Sequence, residues 1–184
     1  MAEEKFGRHI VKCPPEYSIC TGCASCEIAC ALVHEGAVSR QYNRIFFQYG
    51  RVNMLIHDVF TCQQCEDHPC YDACPKKGQA MRIHDDGTVY IDEASCIGCG
   101  LCQKKCKYTP SRINMYKDKD RKKWKAKKCD LCYGRPEGPA CVEACMACCL
   151  AVSGTEPWID REKTEERNET GTRSWESVAN QEKD

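Results

Sequence analysis

The sequence lacks a long apolar run, and it lacks an excess of charge of either sign. Its longest apolar run, "MACCLAV" at residues 146–152, is far too short to cross a bilayer. Its 27 lysines and arginines balance 27 aspartates and glutamates, so the positive charge typical of nucleic-acid-binding domains is missing. The N-terminal "MAEEKFGRHIVK" contains neither the apolar segment of a secretory signal nor a twin-arginine pair. We therefore expect a cytoplasmic chain with no membrane span and no nucleic-acid partner.

The sequence also lacks the usual marks of an enzyme. It has no nucleophile–base arrangement, no glycine-rich phosphate loop and no segment large enough for a pterin-binding domain. Hydrophobic residues make up 42% of the chain, but that figure includes 19 cysteines. Without them the fraction is about a third, which is below the range of ordinary globular domains. We therefore expect a chain that is not an enzyme on its own and that gains folding energy from groups bound to its cysteines.

Most of the cysteines fall into four groups that repeat one plan. Each group opens with C-x-x-C, adds a third cysteine after two to eight residues, and ends with a fourth cysteine three residues later. The groups are Cys20, Cys23, Cys26 and Cys30; Cys62, Cys65, Cys70 and Cys74; Cys96, Cys99, Cys102 and Cys106; and Cys129, Cys132, Cys141 and Cys145. Self-similarity of this kind indicates a repeated structural unit.

The spacing within each group is typical of ligands to [4Fe-4S] clusters. The first and third groups have the C-x₂-C-x₂-C-x₃-C run of two-cluster bacterial ferredoxins, in which the fourth cysteine binds the other cluster. The second and fourth groups keep this order with a longer insertion. Zinc sites use C-x-x-C pairs without regular third and fourth members, and disulfides need an oxidising compartment. The sixteen cysteines therefore predict four [4Fe-4S] clusters and a net charge of about −8 for the loaded protein.

Between the groups the pattern predicts short hairpins. Residues 44–50 and 52–60 form one strand pair, residues 80–92 form a second around the turn residues Asp86 and Gly87, and residues 112–129 form a third with a charged tip. Stretches such as "SCEIAC" and "VEAC" suit a single helical turn each. The expected fold is α+β, with short hairpins and one-turn helices around iron–sulfur clusters, as in bacterial ferredoxins.

Over residues 10–152 the order of the four groups resembles the four-cluster electron-transfer subunits of molybdenum and tungsten pterin oxidoreductases. Within that family the compact size is similar to the iron–sulfur subunit of tungsten-dependent (class II) benzoyl-CoA reductase. The resemblance implies an electron-transfer subunit of an anaerobic oxidoreductase. It would carry single electrons between a catalytic pterin-containing large subunit and a redox donor or acceptor, such as a ferredoxin or further redox subunits. The alternatives are a free polyferredoxin, a subunit of a hydrogenase or carbon monoxide dehydrogenase, and, from another class, a zinc-scaffolded interaction module.

The resemblance also implies that the first group pairs with the fourth and the second with the third. The implied ligand sets are Cys20, Cys23, Cys26 and Cys145; Cys30, Cys129, Cys132 and Cys141; Cys62, Cys65, Cys70 and Cys106; and Cys74, Cys96, Cys99 and Cys102. This pairing implies two interleaved bacterial ferredoxin-like halves, with one inserted in the other. Residues 1–61 begin the first half, 62–111 form the inserted second half, 112–154 hold the basic hairpin and the end of the first half, and 155–184 are a polar tail.

The chain departs from the family near its last group. Lys107 and Met146 stand where proline is common, whereas Pro75 is retained, and "MACCL" replaces "PTGAL" after Cys145. Three clusters instead of four are possible if this end is remodelled. Cys13, Cys148 and Cys149 remain outside the groups, and we interpret them as small buried apolar residues, with alternative ligation or redox sensing as the other interpretation.

Two further features leave alternatives open. The stretch from Lys104 to Lys128 carries twelve basic residues and two acidic ones. It is either a docking surface for an acidic donor or partner subunit or a solvated hairpin that offsets the cluster charge. Trp158 and Trp175 either anchor the tail on a partner or pack on the chain's own domain. The histidines have no ligand spacing.

Overall fold

A computed structural model describes residues 7–14, 20–49, 57–118 and 122–156. Within these residues the chain forms four two-stranded antiparallel sheets and four helices. In chain order they are β1 (Ile10–Lys12), α1 (Ser25–Glu35), β2 (Phe46–Gln48), β3 (Asp58–Phe60), α2 (Pro69–Asp72), β4 (Met81–Ile83), β5 (Val89–Ile91), α3 (Leu101–Lys105), β6 (Ile113–Lys117), β7 (Trp124–Lys128), α4 (Ala140–Glu143) and β8 (Leu150–Val152). None of the helices in these ranges is long and apolar enough to span a membrane.

The three hairpins predicted from the sequence are confirmed, with shorter strands. β2 pairs with β3, β4 with β5 and β6 with β7. The β4–β5 turn places Gly87 at φ 84 with its N–H donated to the His84 carbonyl at 2.9 Å. Glycine suits this position because positive φ costs it no steric energy.

The pairing of β1 with β8 was not predicted. Ile10 lies opposite Val152 and Lys12 lies opposite Leu150, while the Cys13 N–H continues the ladder to the Cys149 carbonyl at 2.8 Å. Each strand has only three residues, and about 140 residues separate the two. The sequence therefore contains no hairpin turn from which this pairing could be predicted. The pairing brings the residues before the first cysteine group onto the segment that follows the fourth.

The helices α2, α3 and α4 are single turns, as predicted, but the one-turn prediction for the first group is wrong. α1 continues for eleven residues and ends where Gly36, at φ 63, donates its N–H to the Leu32 carbonyl. Its buried face holds Cys26 and Cys30, four residues apart on one side of the helix. The buried carboxylate of Glu27 fixes α1 to β2 because it accepts the Phe47 N–H at 2.9 Å.

Two apolar clusters form the interior of the described chain. The first contains Ile10, Ile45 and Leu150 together with cysteines of the first and fourth groups, Cys62 of the second group, and the ungrouped Cys13 and Cys149. The second contains Met81 and Ile113 together with cysteines of the second and third groups. In agreement with this division, α1 packs against α4 and α2 packs against α3. The fold therefore brings cysteine groups together that lie far apart in the sequence.

Candidate metal centre

The thiols gather into four sites, and each site contains three cysteines of one group and one cysteine of another. We call them sites A to D. Site A contains Cys20, Cys23, Cys26 and Cys145; site B contains Cys30, Cys129, Cys132 and Cys141; site C contains Cys62, Cys65, Cys70 and Cys106; and site D contains Cys74, Cys96, Cys99 and Cys102. The short helices produce this exchange, because each carries or precedes the cysteine that crosses to the neighbouring site.

Sites A, C and D each surround a cavity. The space between the lining atoms, including the part that is open to solvent, is about 330 Å³ at site A, 380 Å³ at site C and 360 Å³ at site D. Each wall includes all four cysteines of its site. Three cavities of similar size with the same set of sulfur donors indicate that each is built for the same kind of group.

Site B is defined by the electrostatic interactions of its thiols. Burial, followed by the negative charges of Cys30 and Cys132, raises the pKa of Cys141. Burial, followed by the charge of Cys141, raises the pKa of Cys129. Cys30, Cys129 and Cys141 also lie together in the first apolar cluster, and the charge of Cys132 acts on both Cys30 and Cys141. Packing and charge therefore group these four residues, although they come from α1, the loop after β7, and α4.

Several of these thiols have a strongly raised pKa. Burial, followed by nearby thiolates and carboxylates, raises the pKa of Cys26 to about 12, and burial with nearby thiolates raises that of Cys102 to about 12. Burial is also the main reason why the pKa of Cys30 and that of Cys70 are raised to about 11. A thiol of this kind stays protonated at neutral pH unless a bound cation supplies positive charge. Clustered sulfur donors without oxygen donors are the ligands that iron–sulfur clusters prefer, so the residues fit the predicted cofactor.

The four sites follow one another in the order A, B, C, D. In each neighbouring pair of sites, the negative charge of a thiolate in one raises the pKa of a thiol in the next. The linking pairs are Cys26 with Cys141, Cys62 with Cys129, and Cys70 with Cys102. The packing agrees with this order, because Cys62 of site C belongs to the first apolar cluster, with cysteines of sites A and B, and Cys70 of site C packs against the second, with cysteines of site D. Site D therefore lies at one end of the series.

Backbone N–H groups donate to sulfur at all four sites. Such bonds stabilise thiolates and help to set the potential of a bound cluster. The donors and acceptors are Cys149 to Cys145 at 3.3 Å, Arg44 to Cys30 at 3.2 Å, Gln64 to Cys62 at 3.4 Å, Gly98 to Cys96 at 3.4 Å and Arg112 to Cys106 at 3.3 Å.

The cysteines outside the groups differ from one another. Cys13 and Cys149 are buried, each with 2% exposure, as predicted, but the prediction is wrong for Cys148, which is exposed. Cys149 also lines the cavity of site A, and its sulfur lies 3.5 Å from that of Cys145. Site A therefore offers five sulfurs, and the "ACC" sequence after Cys145 is the signal that could have indicated it.

His34 lies beside site B, which sequence reasoning missed. Its Nε2 is 3.6 Å from the Cys132 sulfur and 3.5 Å from an Asp130 carboxylate oxygen. Burial, followed by the charge of Arg44, lowers the pKa of His34. The 98 residues between His34 and Cys132 leave no local spacing to reveal the contact.

The basic stretch divides into buried and exposed lysines. The interpretation as a solvated hairpin is wrong for Lys125, Lys127 and Lys128, which are 5%, 1% and 2% exposed. Lys127 pairs with Glu35 at 2.5 Å and with Glu93 at 3.5 Å. The other basic residues with described side chains, including Lys122 and Lys123, are at least partly exposed. Trp158 and Trp175 lie outside the described residues.

Comparison with known proteins places this geometry in context. The 4Fe-4S dicluster domain family matches residues 54–155. The chain is 32% identical over 166 residues to the electron transport protein HydN of Escherichia coli, covering 81% of this chain and 87% of HydN. It is 35% identical over 148 residues to the polyferredoxin-like subunit of the aliphatic sulfonate oxidoreductase of Pyrococcus furiosus, covering 79% and 76%. It is 37% identical over 142 residues to a subunit of the anaerobic dimethyl sulfoxide reductase of Escherichia coli, covering 70% and 65%.

The length of the relatives varies widely. The chain spans 87% of the length of HydN but only 20% of the length of AegA of Escherichia coli, to which it is 37% identical over 140 residues. Among solved structures, the active-site complex BamBC of benzoyl coenzyme A reductase, in complex with benzoyl-CoA, aligns over 99% of this chain and 100% of its counterpart. The identity there is 21% and the TM-score is 0.43, which is too low to support an argument about partner or substrate.

Proposed function

Because this chain belongs to the 4Fe-4S dicluster domain family, we propose that it is an electron-transfer subunit that carries single electrons through four [4Fe-4S] clusters to or from the catalytic subunit of an oxidoreductase. The observation that carries the proposal is the 3+1 composition of the cavities, in which three cysteines of one group meet one cysteine of a distant group. Neither zinc coordination nor a disulfide framework requires that exchange.

The sixteen cysteines of sites A to D are the proposed ligands. When bound, a [4Fe-4S] cluster accepts and releases one electron at a potential set by its surroundings. The chain's own residues position the sulfurs and donate N–H groups to them. The packing of α1 on α4 and of α2 on α3 supports two interleaved ferredoxin-like halves, with 62–111 inserted between 1–61 and 112–154, and 155–184 as a tail.

The proposed partner is a catalytic large subunit with a molybdenum or tungsten pterin. Two relatives support an oxidoreductase complex, since they are named as subunits of a sulfonate oxidoreductase and a dimethyl sulfoxide reductase. More specifically, we propose that the metal of the partner is tungsten and that the host is anaerobic. We also propose that the complex lies in the cytoplasm, where thiols stay reduced. A free polyferredoxin and a hydrogenase or carbon monoxide dehydrogenase subunit are the competitors of this proposal.

Metal analysis of the native complex, purified without oxygen, tests this proposal. We expect about sixteen irons per copy of this chain beyond those of its partner, with molybdenum or tungsten in constant ratio to a large subunit. About twelve irons would indicate three clusters. Iron without either metal would favour the competitors, and zinc in place of iron would refute electron transfer.

Substitution of a proposed ligand provides a second test of the sites. We expect Cys141→Ala to lower the iron content of the chain from about sixteen to about twelve, because site B would lose a buried sulfur. Cys13→Ala is the matched control, since it removes a cysteine that is equally buried but lies in none of the four sites. Equal iron in the two variants would contradict the ligand assignment at site B.

We also propose that the electron donor docks at the site D end of the series. Cys99 of this site is exposed, and the loop that carries it touches the start of β7 at Trp124, whose side chain is 55% exposed. Lys122 and Lys123 immediately precede Trp124 and are exposed. An exposed aromatic ring beside positive charge suits an acidic electron-carrier protein.

Charge reversal at this end tests the docking proposal. We expect Lys123→Glu to slow reduction of the chain by a reduced acidic 2[4Fe-4S] ferredoxin about threefold at low salt, and the difference to shrink as salt rises. Arg8→Glu is the control, because Arg8 is also exposed but lies beside Gln64, Glu66 and Asp86, in a cavity that does not include the site D cysteines. The proposal would be contradicted if the stopped-flow reduction rate changed neither with salt concentration nor on substitution of Lys123.

A further inference from the structure

Lys128, the last residue of β7, is a buried lysine whose charge has no carboxylate partner among the described residues. Its side chain is 2% exposed. Its Nζ donates to the Gln64 Oε1 at 3.0 Å and to the Val89 carbonyl at 2.5 Å, and both acceptors are neutral. Burying an ammonium without an opposite charge is costly, so this position calls for a source of negative charge close by.

The adjacent lysine shows how the same strand satisfies a buried charge elsewhere. Lys127 lies between the carboxylates of Glu35 and Glu93, and its Nζ sits over the rings of Tyr42 and Tyr116 at 4.9 Å and 4.3 Å from their centroids. Lys128, which points away from that network, has amide and carbonyl oxygens only. The contrast indicates that the counter-charge of Lys128 is not supplied by a carboxylate of the described chain.

The sulfurs of site C lie beside the Lys128 ammonium and could supply the missing negative charge as thiolates. Lys128 lines the cavity of site C together with Cys62, Cys65, Cys70 and Cys106. Its charge lowers the pKa of Cys70, against the larger effect of burial, which raises it. The ammonium is held in place by Gln64, which also donates to the Cys129 carbonyl at 2.8 Å and accepts the Val89 N–H at 3.0 Å. This rigid support keeps the positive charge at a fixed position on the cavity wall.

We propose that Lys128 is the counter-charge of site C and raises the reduction potential of the cluster held there above that of the same site without it. This inference rests on the proposed function, because it assumes a cluster at site C. A fixed positive charge stabilises the additional electron of the reduced state. Lys128 thus makes site C a better electron acceptor than its thiol ligands alone would.

An EPR-monitored redox titration of the full iron-loaded chain tests the inference. We expect Lys128→Met to lower the reduction equilibrium constant of one cluster at least tenfold, which is 59 mV for a one-electron couple, and to leave the iron content unchanged. The affected signal is assigned to site C through Cys70→Ser, which should alter the same signal. Lys128→Arg keeps the charge, so the reduction equilibrium constants of its clusters should stay within threefold of those of the unmodified chain.

A second buried lysine provides a matched control. Lys125 is also buried in β7, and its Nζ donates to the Cys96 carbonyl at 2.6 Å, but it does not line site C. Lys125→Met should therefore leave the site C signal in place. If the Lys128→Met variant binds no iron at site C, the redox titration is repeated with Lys128→Gln, a second neutral variant. Loss of iron from both neutral variants with retention in Lys128→Arg would also support a counter-charge.

The two possible failures are distinguishable. Iron-loaded neutral variants with unshifted potentials, or a Lys128→Arg variant that behaves like Lys128→Met, would overturn the inference and leave the proposed function intact. An unmodified chain that binds far less iron than four clusters require would instead refute the proposed function itself.

Discussion

Removal of iron is expected to unfold most of this chain. Seven of the twelve buried residues in the first apolar cluster are cysteines, and the sulfurs of site A surround a cavity. The helices α2 to α4 have four or five residues, too few to persist alone, and two-stranded hairpins are marginal in water. The clusters therefore supply much of the folding energy.

Anaerobic chelation followed by circular dichroism measures this effect. We expect the far-UV signal and the colour of the clusters to disappear together as iron leaves, and to return on reconstitution with iron and sulfide. The same chelator saturated beforehand with ferrous iron is the control for direct effects of the chelator. A chain that keeps its far-UV spectrum after losing nine-tenths of its iron would contradict the prediction.

The features that could be predicted from the sequence are those encoded locally. The ligand groups are recognisable because each occupies a short stretch with fixed spacing, and the hairpin at residues 80–92 is recognisable because Asp86 and Gly87 mark its turn. The length of α1 was underestimated because the cysteine spacing suggested only a single turn, whereas the buried Ala31 and the capping Gly36 extend it.

The features that were missed depend on contacts between distant residues. The burial of Lys127 requires Glu35 and Glu93, which lie far away in the sequence. The contact of His34 with Cys132 and the pairing of β1 with β8 likewise arise only when the first and fourth groups meet. A run of lysines next to a cysteine group is equally compatible with solvent exposure, so composition alone could not identify those that are buried.

Substitution of Gly98 by alanine is expected to be among the most damaging changes to site D. Gly98 adopts φ +70, and a Cβ there would lie 1.9 Å from the Trp124 carbonyl oxygen and 2.5 Å from its carbonyl carbon. Both atoms belong to the backbone of β7, so neither can rotate away. The loop must move instead, which also displaces the Gly98 N–H from the Cys96 sulfur. We expect loss of about four irons and a destabilisation of about 4 kcal/mol.

Gly100→Ala in the same loop separates crowding from backbone strain. Gly100 adopts a similar conformation, φ +73, but a Cβ there would meet no atom within 4 Å. Gly100 lines the site D cavity, but alanine there meets no protein atom and carries the cost of a left-handed conformation, about 1 kcal/mol. We therefore expect a smaller loss of iron than at Gly98 and a shift of thermal bleaching by a few degrees at most. Because both variants change the same loop by one methyl group at nearly the same φ, any larger effect at Gly98 measures its contact with β7. Equal iron content and equal bleaching temperatures in the two variants would mean that the site D loop does not depend on that contact.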